Sequence, residues 1–448
     1  MIRLADRKDC CGCGACAAVC PHGAIEMVPD GMGFRYPRVA LDRCVDCHLC
    51  EDICSFADFA AEASGCKTAL RCAPGPSRTS GSPHPAGCDV PPRDFVGPPG
   101  DICPDGAWPR VATGFAPAAS SAASASGTAA SAEAIRFPEL MDQSQSGGLA
   151  FALMRKAIRS GMVVYGAAMD DDFVVRHRRV ETLEGLDPLR LSKYVQSDME
   201  GDFSTSLGMT KSIAAMVLAD LKAGRRVLFT GTPCQCAGVG SLCRNYRDQL
   251  LLADILCHGV PAPYVWRDYL AEQERRHGKK LTRALFRDPS LGWHEHKEVL
   301  FFGDERVVCG EYTDLFYRHL MLRPSCLVCP YASVSRATDL TMADCWGVEK
   351  ALPGFADDNR GCSLLLRNTL AGVDFSADFP SEVVERRPVE LENVMQPNFL
   401  APSQPKDGAQ LFENTYIRRG YPVAERRCRP GAIRIRLLRW ARKAGIKL

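Results

Sequence analysis

Two regularly spaced runs of cysteine near the start of the chain constrain its fold more than any other feature. In each run the gaps are two, two and three residues, and the members are Cys10, Cys13, Cys16 and Cys20, then Cys44, Cys47, Cys50 and Cys54. In a paired [4Fe–4S] arrangement, three close thiolates hold one cube and the fourth cysteine of the run crosses to the other cube. The sequence therefore predicts one cluster on Cys10, Cys13, Cys16 and Cys54, and a second on Cys44, Cys47, Cys50 and Cys20.

Zinc is the alternative occupant, because Cys-x2-Cys pairs also build tetrahedral zinc sites. A zinc site does not call for the third and fourth cysteines of each run, so the ligand count favours iron–sulfur clusters. Pro21 follows the first run, as is usual for such cluster motifs, whereas Ser55 follows the second. Cys11 is a spare thiol with no assigned role.

Composition limits where the protein works and what it binds. The chain has 448 residues, which suggests two or three domains, and a formal net charge of +2, which gives no steering toward nucleic acid. No signal peptide is visible, and Arg155, Lys156 and Arg159 interrupt the best candidate for a transmembrane segment. The 23 cysteines are therefore best explained as metal ligands in a reducing cytoplasm.

The chain divides by composition into four segments. Residues 1–60 form a ferredoxin-like domain with two [4Fe–4S] clusters, and residues 61–135, rich in Pro, Gly, Ala and Ser, are predicted to be a disordered low-complexity linker. The linker contains four irregularly spaced cysteines to which we assign no role: Cys66, Cys72, Cys88 and Cys103. Residues 136–375 alternate helical patterns with short apolar runs, which predicts an α/β domain.

Residues 376–448 are predicted to form a C-terminal extension with a basic tail from Arg426 to Leu448. That tail could contact an acidic partner or a membrane surface, although a solvated helix face is the more economical interpretation.

A second group of cysteines lies in the large domain. Cys234 and Cys257 follow two predicted parallel strands, and ligands collect at such strand ends in open α/β sheets. Together with Cys326 and Cys329 they would complete a third cluster, but structural zinc or inert buried thiols fit the same spacing. By proximity, Cys236 and Cys345 are rival ligands.

Phosphate-binding signals are short. The chain has no P-loop, and the best candidates for holding a phosphate are Ser146-Gly147-Gly148 ahead of a helix and Thr230-Gly231-Thr232 after a strand.

Several motifs in order resemble the coenzyme F-420 hydrogenase/dehydrogenase beta-subunit family. They are Ser144-x-Ser146-Gly147-Gly148, Lys193-Tyr194-Val195-Gln196-Ser197, Gly231-Thr232-Pro233-Cys234-Gln235, Cys257-His258-Gly259-Val260-Pro261, Arg323-Pro324-Ser325-Cys326-x2-Cys329 and Asp344-x-Trp346-Gly347. The resemblance implies an iron–sulfur flavoprotein with FAD in the large α/β domain and a third cluster on Cys234, Cys257, Cys326 and Cys329. It also implies that the flavin is surrounded by Ser146, Gly147, Gly148, Lys193, Ser197, Thr230, Gly231, Thr232 and Pro233.

These features predict an oxidoreductase that moves electrons between a hydride-type coenzyme, F-420 or another, and a one-electron carrier such as a ferredoxin or another redox partner protein. Two alternatives stay open: an electron-transfer subunit serving a separate catalytic protein, and a ferredoxin-like carrier without flavin. Lys193 and His258 are candidate catalytic groups, and His294 and His296 are candidate proton donors or substrate contacts. Lys193 fits a solvated loop position equally well, and for the histidines a surface loop position is the commoner case.

Overall fold

The computed structural model describes residues 1–56 apart from Arg3 and Ala5, and residues 131–204, 210–379 and 383–429. The helices are α1 (Ala15–Val19), α2 (Leu49–Asp52), α3 (Pro138–Met141), α4 (Leu149–Arg159), α5 (Ile213–Lys222), α6 (Pro233–Leu242), α7 (Pro263–His277), α8 (Glu311–Tyr317), α9 (Val348–Ala351), α10 (Leu370–Phe375), α11 (Ala409–Arg419) and α12 (Tyr421–Cys428). The strands are β1 (Ile25–Pro29), β2 (Arg35–Val39), β3 (Ser131–Arg136), β4 (Val163–Met169), β5 (Val175–Val180), β6 (Glu200–Ser204), β7 (Thr210–Ser212), β8 (Val227–Gly231), β9 (Leu250–Ile255), β10 (Arg283–Leu285), β11 (Val299–Phe302), β12 (Glu305–Val308), β13 (Leu340–Asp344), β14 (Ser363–Arg367) and β15 (Glu385–Pro388).

The N-terminal module is a small α/β unit. Strands β1 and β2 form an antiparallel hairpin in which Ile25 pairs with Val39, and the turn between them is closed by Asp30, whose carboxylate accepts from the amides of Met32 and Phe34. Each short helix, α1 and α2, follows two cysteines of one run and carries a third on its first turns. The predicted ferredoxin-like arrangement of this segment is confirmed.

The large domain is built on an eight-stranded mixed sheet in the order β15-β3-β14-β13-β9-β8-β4-β5. The four central strands β13, β9, β8 and β4 are parallel to one another, and antiparallel pairs complete both edges. Parallel strands covered on both faces read as continuous apolar runs, and β9 follows this rule because its first five residues are all buried. The predicted α/β class is therefore confirmed.

Two predicted boundaries are wrong. The linker was expected to reach residue 135, but residues 131–136 form β3, a strand that pairs with β14 and β15 inside the main sheet. Its small alanines fit this densely packed position, but they lack the branched apolar residues by which a strand is predicted from sequence. The boundary at residue 375 also fails, because β15 pairs with β3.

The C-terminal helices belong to the same domain. Phe412 and Tyr421, on α11 and α12, are buried in a core with Trp266 and Tyr269 of α7. The predicted linker over 61–130 and the four cysteines within it lie outside the described residues, as does the basic tail beyond Arg429.

Candidate functional site

Two adjacent parallel strands deliver cysteines to one edge of the sheet, as the sequence predicted. Strand β8 runs into α6, whose second residue is Cys234, and β9, its neighbour, ends two residues before Cys257. Thr232 fixes the start of α6 through a capping box with Gln235: the Thr232 backbone amide donates to the Gln235 side-chain oxygen over 3.1 Å.

Four predicted ligands line one small cavity of about 30 Å³: Cys234, Cys257, Cys326 and Cys329. The spare thiol Cys11 of the N-terminal module lines it as well. The rival Cys236 points away and donates to the Ala253 carbonyl oxygen over 3.8 Å, and Cys345 is buried in another core, where its thiol meets Cys362. The four predicted cysteines therefore lie together, and neither rival lines their cavity.

The electrostatics of this cavity suit a cationic centre. Burial raises the pKa values of Cys326 and Cys329 to about 12, and also raises the pKa of Cys257. The pKa of Cys234 is instead lowered to about 7, chiefly by a hydrogen bond from the Cys11 thiol. Buried thiols ionise when a metal centre supplies positive charge, and thiolate-only donor sets select zinc or iron–sulfur clusters.

The spacing of the sulfurs bears on the choice between zinc and a cluster. Within the described ranges, no three His, Cys, Asp or Glu side chains lie close enough together to hold a single metal ion. A tetrahedral zinc ion needs its sulfurs about 2.3 Å away, whereas a cube spreads its ligands over four irons. The four cysteines therefore do not form a closed single-ion site in the described part of the chain.

The N-terminal cysteines are grouped as the crossover pattern predicts. The pKa of Cys16 is raised by burial and then by the neighbouring charges of Cys13, Cys10 and Cys54, which places these four together. The other four line a second small cavity: Cys20, Cys44, Cys47 and Cys50. We call these groups the inner set (Cys10, Cys13, Cys16 and Cys54) and the outer set (Cys20, Cys44, Cys47 and Cys50).

A larger cavity of about 450 Å³ opens at the same edge of the sheet. It is lined by seven of the nine predicted flavin contacts: Ser146, Gly148, Lys193, Ser197, Thr230, Gly231 and Thr232. Gly147 packs behind the wall, where an added Cβ would stand 2.3 Å from the Ile135 carbonyl oxygen. Pro233 lines the small four-cysteine cavity instead.

Lys193 is not a solvated surface lysine. It lines the large cavity, and its Nζ donates to the Arg190 carbonyl oxygen over 2.5 Å. Burial lowers its pKa to about 7. Near neutral pH this side chain can therefore gain or lose a proton inside the cavity.

The predicted histidines separate into different environments. His258 lines both cavities and contacts His319 through their Nε2 atoms over 2.7 Å; burial lowers the pKa of His258 to about 4. His296 lines the large cavity, where its Nδ1 meets the Tyr317 hydroxyl over 2.6 Å and its buried Nε2 has no partner among the described residues. His294 is exposed and pairs with Glu349.

Sequence reasoning missed two groups in the wall of the large cavity, His177 and Arg287. His177 Nδ1 meets the Ser197 hydroxyl over 2.8 Å, and its Nε2 meets the Thr230 carbonyl oxygen over 3.0 Å. Arg287 pairs with Asp344 over 2.8 Å beside Trp346. Asp344 was already part of the Asp344-x-Trp346-Gly347 motif and lies at the end of the parallel strand β13; for Arg287 and His177 the sequence carries no such signal.

The comparisons with known proteins identify two parts of the chain. Residues 9–57 match the 4Fe-4S dicluster domain, and residues 224–393 match the family described as the C terminus of the coenzyme F420 hydrogenase/dehydrogenase beta subunit. The chain is therefore an iron–sulfur electron-transfer protein related to the beta subunits of F420 hydrogenases. The match over residues 224–393 supports the resemblance to the coenzyme F420 hydrogenase/dehydrogenase beta-subunit family that was drawn from the motifs.

Among solved structures, the chain matches one from the F420-reducing [NiFe] hydrogenase complex of Methanosarcina barkeri. The match has 17% identity and a TM-score of 0.41, and it covers 66% of this chain and 89% of that one. No curated protein matches the sequence. In the parts of the chain that the structure describes, every helix is too short or too polar to cross a lipid bilayer.

Proposed function

We propose that the protein is an FAD- and iron–sulfur-dependent oxidoreductase working between a hydride-type coenzyme and one-electron carriers in the cytoplasm. The observation that carries the proposal is a shared wall: Cys257, His258, Gly259 and Val260 line both the large cavity and the four-cysteine cavity. A cofactor in the first would lie directly beside one in the second. A flavin can accept a hydride and release single electrons, so a flavin in the large cavity could pass electrons to a cluster in the four-cysteine cavity.

The residues at each site fit the proposed groups. The inner set, the outer set and the four cysteines of the large domain would each hold one [4Fe–4S] cluster. The large cavity has a volume typical of cofactor pockets, apolar walls and a few convergent polar groups, which suits a flavin.

The side chains in the large cavity have separable tasks. Lys193 would place positive charge beside the cofactor at neutral pH and below, and so stabilise negative charge there. His296, oriented by Tyr317, keeps Nε2 free to hydrogen-bond a ligand. Trp346, stacked on Trp293 with ring centroids 4.3 Å apart, would offer a flat apolar surface to a flavin in the cavity.

One observation favours a second candidate, an electron-transfer subunit that serves a separate catalytic protein. The outer set lies at the surface: Cys47 is exposed, and Leu41 and Val45 beside it are 69% and 60% exposed. Exposed apolar side chains around an electron-transfer centre are what a docking partner would cover.

A cofactor inventory of anaerobically purified protein tests the proposal. We expect flavin in the preparation and about twelve iron atoms per chain, the number that three cubes contain. Cys326→Ser is the matched control: it should retain flavin and fall to about eight iron atoms. A preparation without flavin would overturn both the enzyme and the flavin-containing subunit, and leave the ferredoxin-like carrier.

Substrate turnover then separates the two flavin-containing candidates. The isolated protein is mixed with reduced coenzyme F-420, NADH or NADPH, and a one-electron dye as acceptor. Turnover with any of these donors supports the enzyme. Flavin that is reduced only when a partner protein is added supports the electron-transfer subunit instead.

A further inference from the structure

Arg323 is a buried cation that joins the two iron–sulfur regions. It precedes Cys326 by three residues and is 1% exposed. Its Nε donates to the Cys10 carbonyl oxygen over 2.8 Å, and its Nη2 donates to the Arg35 carbonyl oxygen over 2.8 Å. The guanidinium of the large domain is thus inserted into the cysteine loop of the N-terminal module.

The charge of Arg323 has no carboxylate partner in the described part of the chain. The other buried arginine side chains there each pair with an acid: Arg136 with Asp358, Arg287 with Asp344, Arg336 with Asp254, and Arg367 with Glu133. Arg323 instead meets the neutral Gln196 side chain, over 2.9 Å, and the ring of Tyr36. A buried charge without a counter-charge is costly, so this site requires negative charge from another source.

Sulfur is the candidate source on both sides of the guanidinium. The Nη2 atom of Arg323 lies 3.7 Å from the Cys10 Sγ of the inner set. On the other side, Cys326 of the four-cysteine cavity lies close enough to interact with the same charge. Cys11, next to Cys10, lines that cavity, and its Sγ lies 4.0 Å from the Cys234 carbonyl oxygen.

The backbone is shaped for this close approach. Gly12 has φ +75°, and a Cβ added to it would stand 2.9 Å from Arg323 Nη1. A Cβ added to Gly238 on α6 would stand 2.6 Å from Cys13 Sγ. Glycine at these two positions lets the inner set sit against both the arginine and the helix that carries Cys234.

We propose that Arg323 is a positioning residue shared by the inner set and the four-cysteine cavity. It holds the loop of residues 10–12 on the large domain, and its fixed positive charge lowers the free-energy cost of adding one electron at either neighbouring site. Charge and hydrogen bonds near the sulfurs are among the factors that set cluster potentials. The inference rests on the proposed function in one respect, that both sites hold [4Fe–4S] clusters.

The test is an anaerobic redox titration of the full chain followed by electron paramagnetic resonance. Arg323→Gln keeps a similar side-chain length and removes the charge. We expect the midpoint potential of the inner cluster to fall by at least about 59 mV, which for one electron is a tenfold change in the reduction equilibrium. Arg7→Gln is the control, because Arg7 also joins the module to the large domain, through Glu413 over 2.5 Å, without contacting a sulfur.

Arg323→Lys separates charge from geometry. It keeps the charge but loses the fork that reaches Gln196 and two carbonyl oxygens. We expect the midpoint potential of the inner cluster to stay within about 59 mV of the wild-type value, which is less than a tenfold change in the reduction equilibrium. We also expect faster amide hydrogen exchange in residues 10–12. This measurement also decides the matter if Arg323→Gln fails to retain iron.

Unchanged midpoints in an iron-replete Arg323→Gln protein would overturn the inference. The inference would also be overturned by an Arg323→Lys protein whose inner-cluster midpoint potential falls by about 59 mV or more, or whose amide hydrogen exchange in residues 10–12 is unaltered. Neither result touches the proposed function, which fails instead if the wild-type protein lacks clusters or flavin.

Discussion

The inner and outer cysteine sets share the same Cys-x2-Cys-x2-Cys core in the sequence but have different surroundings in the fold. The inner set faces the large domain, where α6, Arg323 and Tyr331 enclose it. The outer set lies nearer solvent: Cys47 is exposed, although Cys50 is buried, and the side chains of the nearby Asp46 and Glu51 are 64% and 41% exposed. A motif that specifies ligands therefore does not specify which cluster connects inward and which connects outward.

The contacts that fix this orientation lie on the inner side. Ser241 of α6 donates to the Ile53 carbonyl oxygen over 2.9 Å, and the Tyr331 hydroxyl donates to the Ser55 carbonyl oxygen over 3.0 Å. Both acceptors flank Cys54, the cysteine that crosses from the second run to the inner set. We infer that the inner set contributes to domain docking, whereas the outer set is available for exchange with a partner.

The strongest test of this contrast removes one ligand from each set. Cys13→Ser and Cys47→Ser should each lose about four iron atoms and abolish electron transfer through the module, because each cube needs all its thiolates. Only Cys13→Ser should also loosen the module, since Cys13 packs on α6. Iron analysis and limited proteolysis measure the two effects. Equal protease resistance in both variants would contradict an inner set that docks the domains.

Cluster removal should also distinguish the two sets. Under a mild oxidant with a chelator, we expect iron to leave the outer site several-fold faster than the inner site, because Cys47 is exposed whereas none of the four inner cysteines is. Electron paramagnetic resonance of samples quenched at intervals follows the two sites separately. Loss of both signals at one rate would show that the large domain gives the inner site no protection.

The sequence predicted which cysteines lie together because cluster chemistry is local. A cube requires closely spaced thiolates, so the spacing carries the information, and even the crossover of Cys20 and Cys54 follows from it. The adjacency of β8 and β9, and hence of Cys234 and Cys257, followed from the rule for parallel strand ends.

What the sequence could not predict depends on long-range packing. Arg323 had no visible role because its partners, Cys10 and Gln196, lie far away in the chain. His177 and Arg287 enter the large cavity from separate segments, with no motif to mark them. The β3 strand was missed since its alanines resemble the low-complexity stretch that precedes them.

A steric substitution tests the close approach on the inner side. In Gly238→Ala the new methyl group would collide with the Cys13 side chain, and we expect a loss of about 1–3 kcal/mol in the free energy of unfolding, as overpacking typically gives. Chemical denaturation of the anaerobic protein measures it. Gly31→Ala is the control: Gly31 also faces the large domain, but an added Cβ would stand 3.4 Å from Ile417 Cγ1, an ordinary contact distance, and the change should stay within about 0.5 kcal/mol. Similar free energies of unfolding for both variants would mean that the N-terminal module shifts to accommodate the methyl group without losing stability.

The smallest expected effect comes from a single hydroxyl on the inner side. Tyr331→Phe deletes the donor to the Ser55 carbonyl oxygen while keeping the ring against Phe56, at a cost of about 1 kcal/mol, as for a typical hydrogen bond. Tyr264→Phe is a matched control, because Tyr264 also contacts the module, at Gly33, yet its hydroxyl makes no hydrogen bond with the described residues. Equal denaturation midpoints for the two variants would assign the docking to the cysteine loop and Arg323 rather than to the segment around Cys54. A larger loss in Tyr331→Phe alone would extend the docking surface to that segment, and with it the difference between the inner and outer sets.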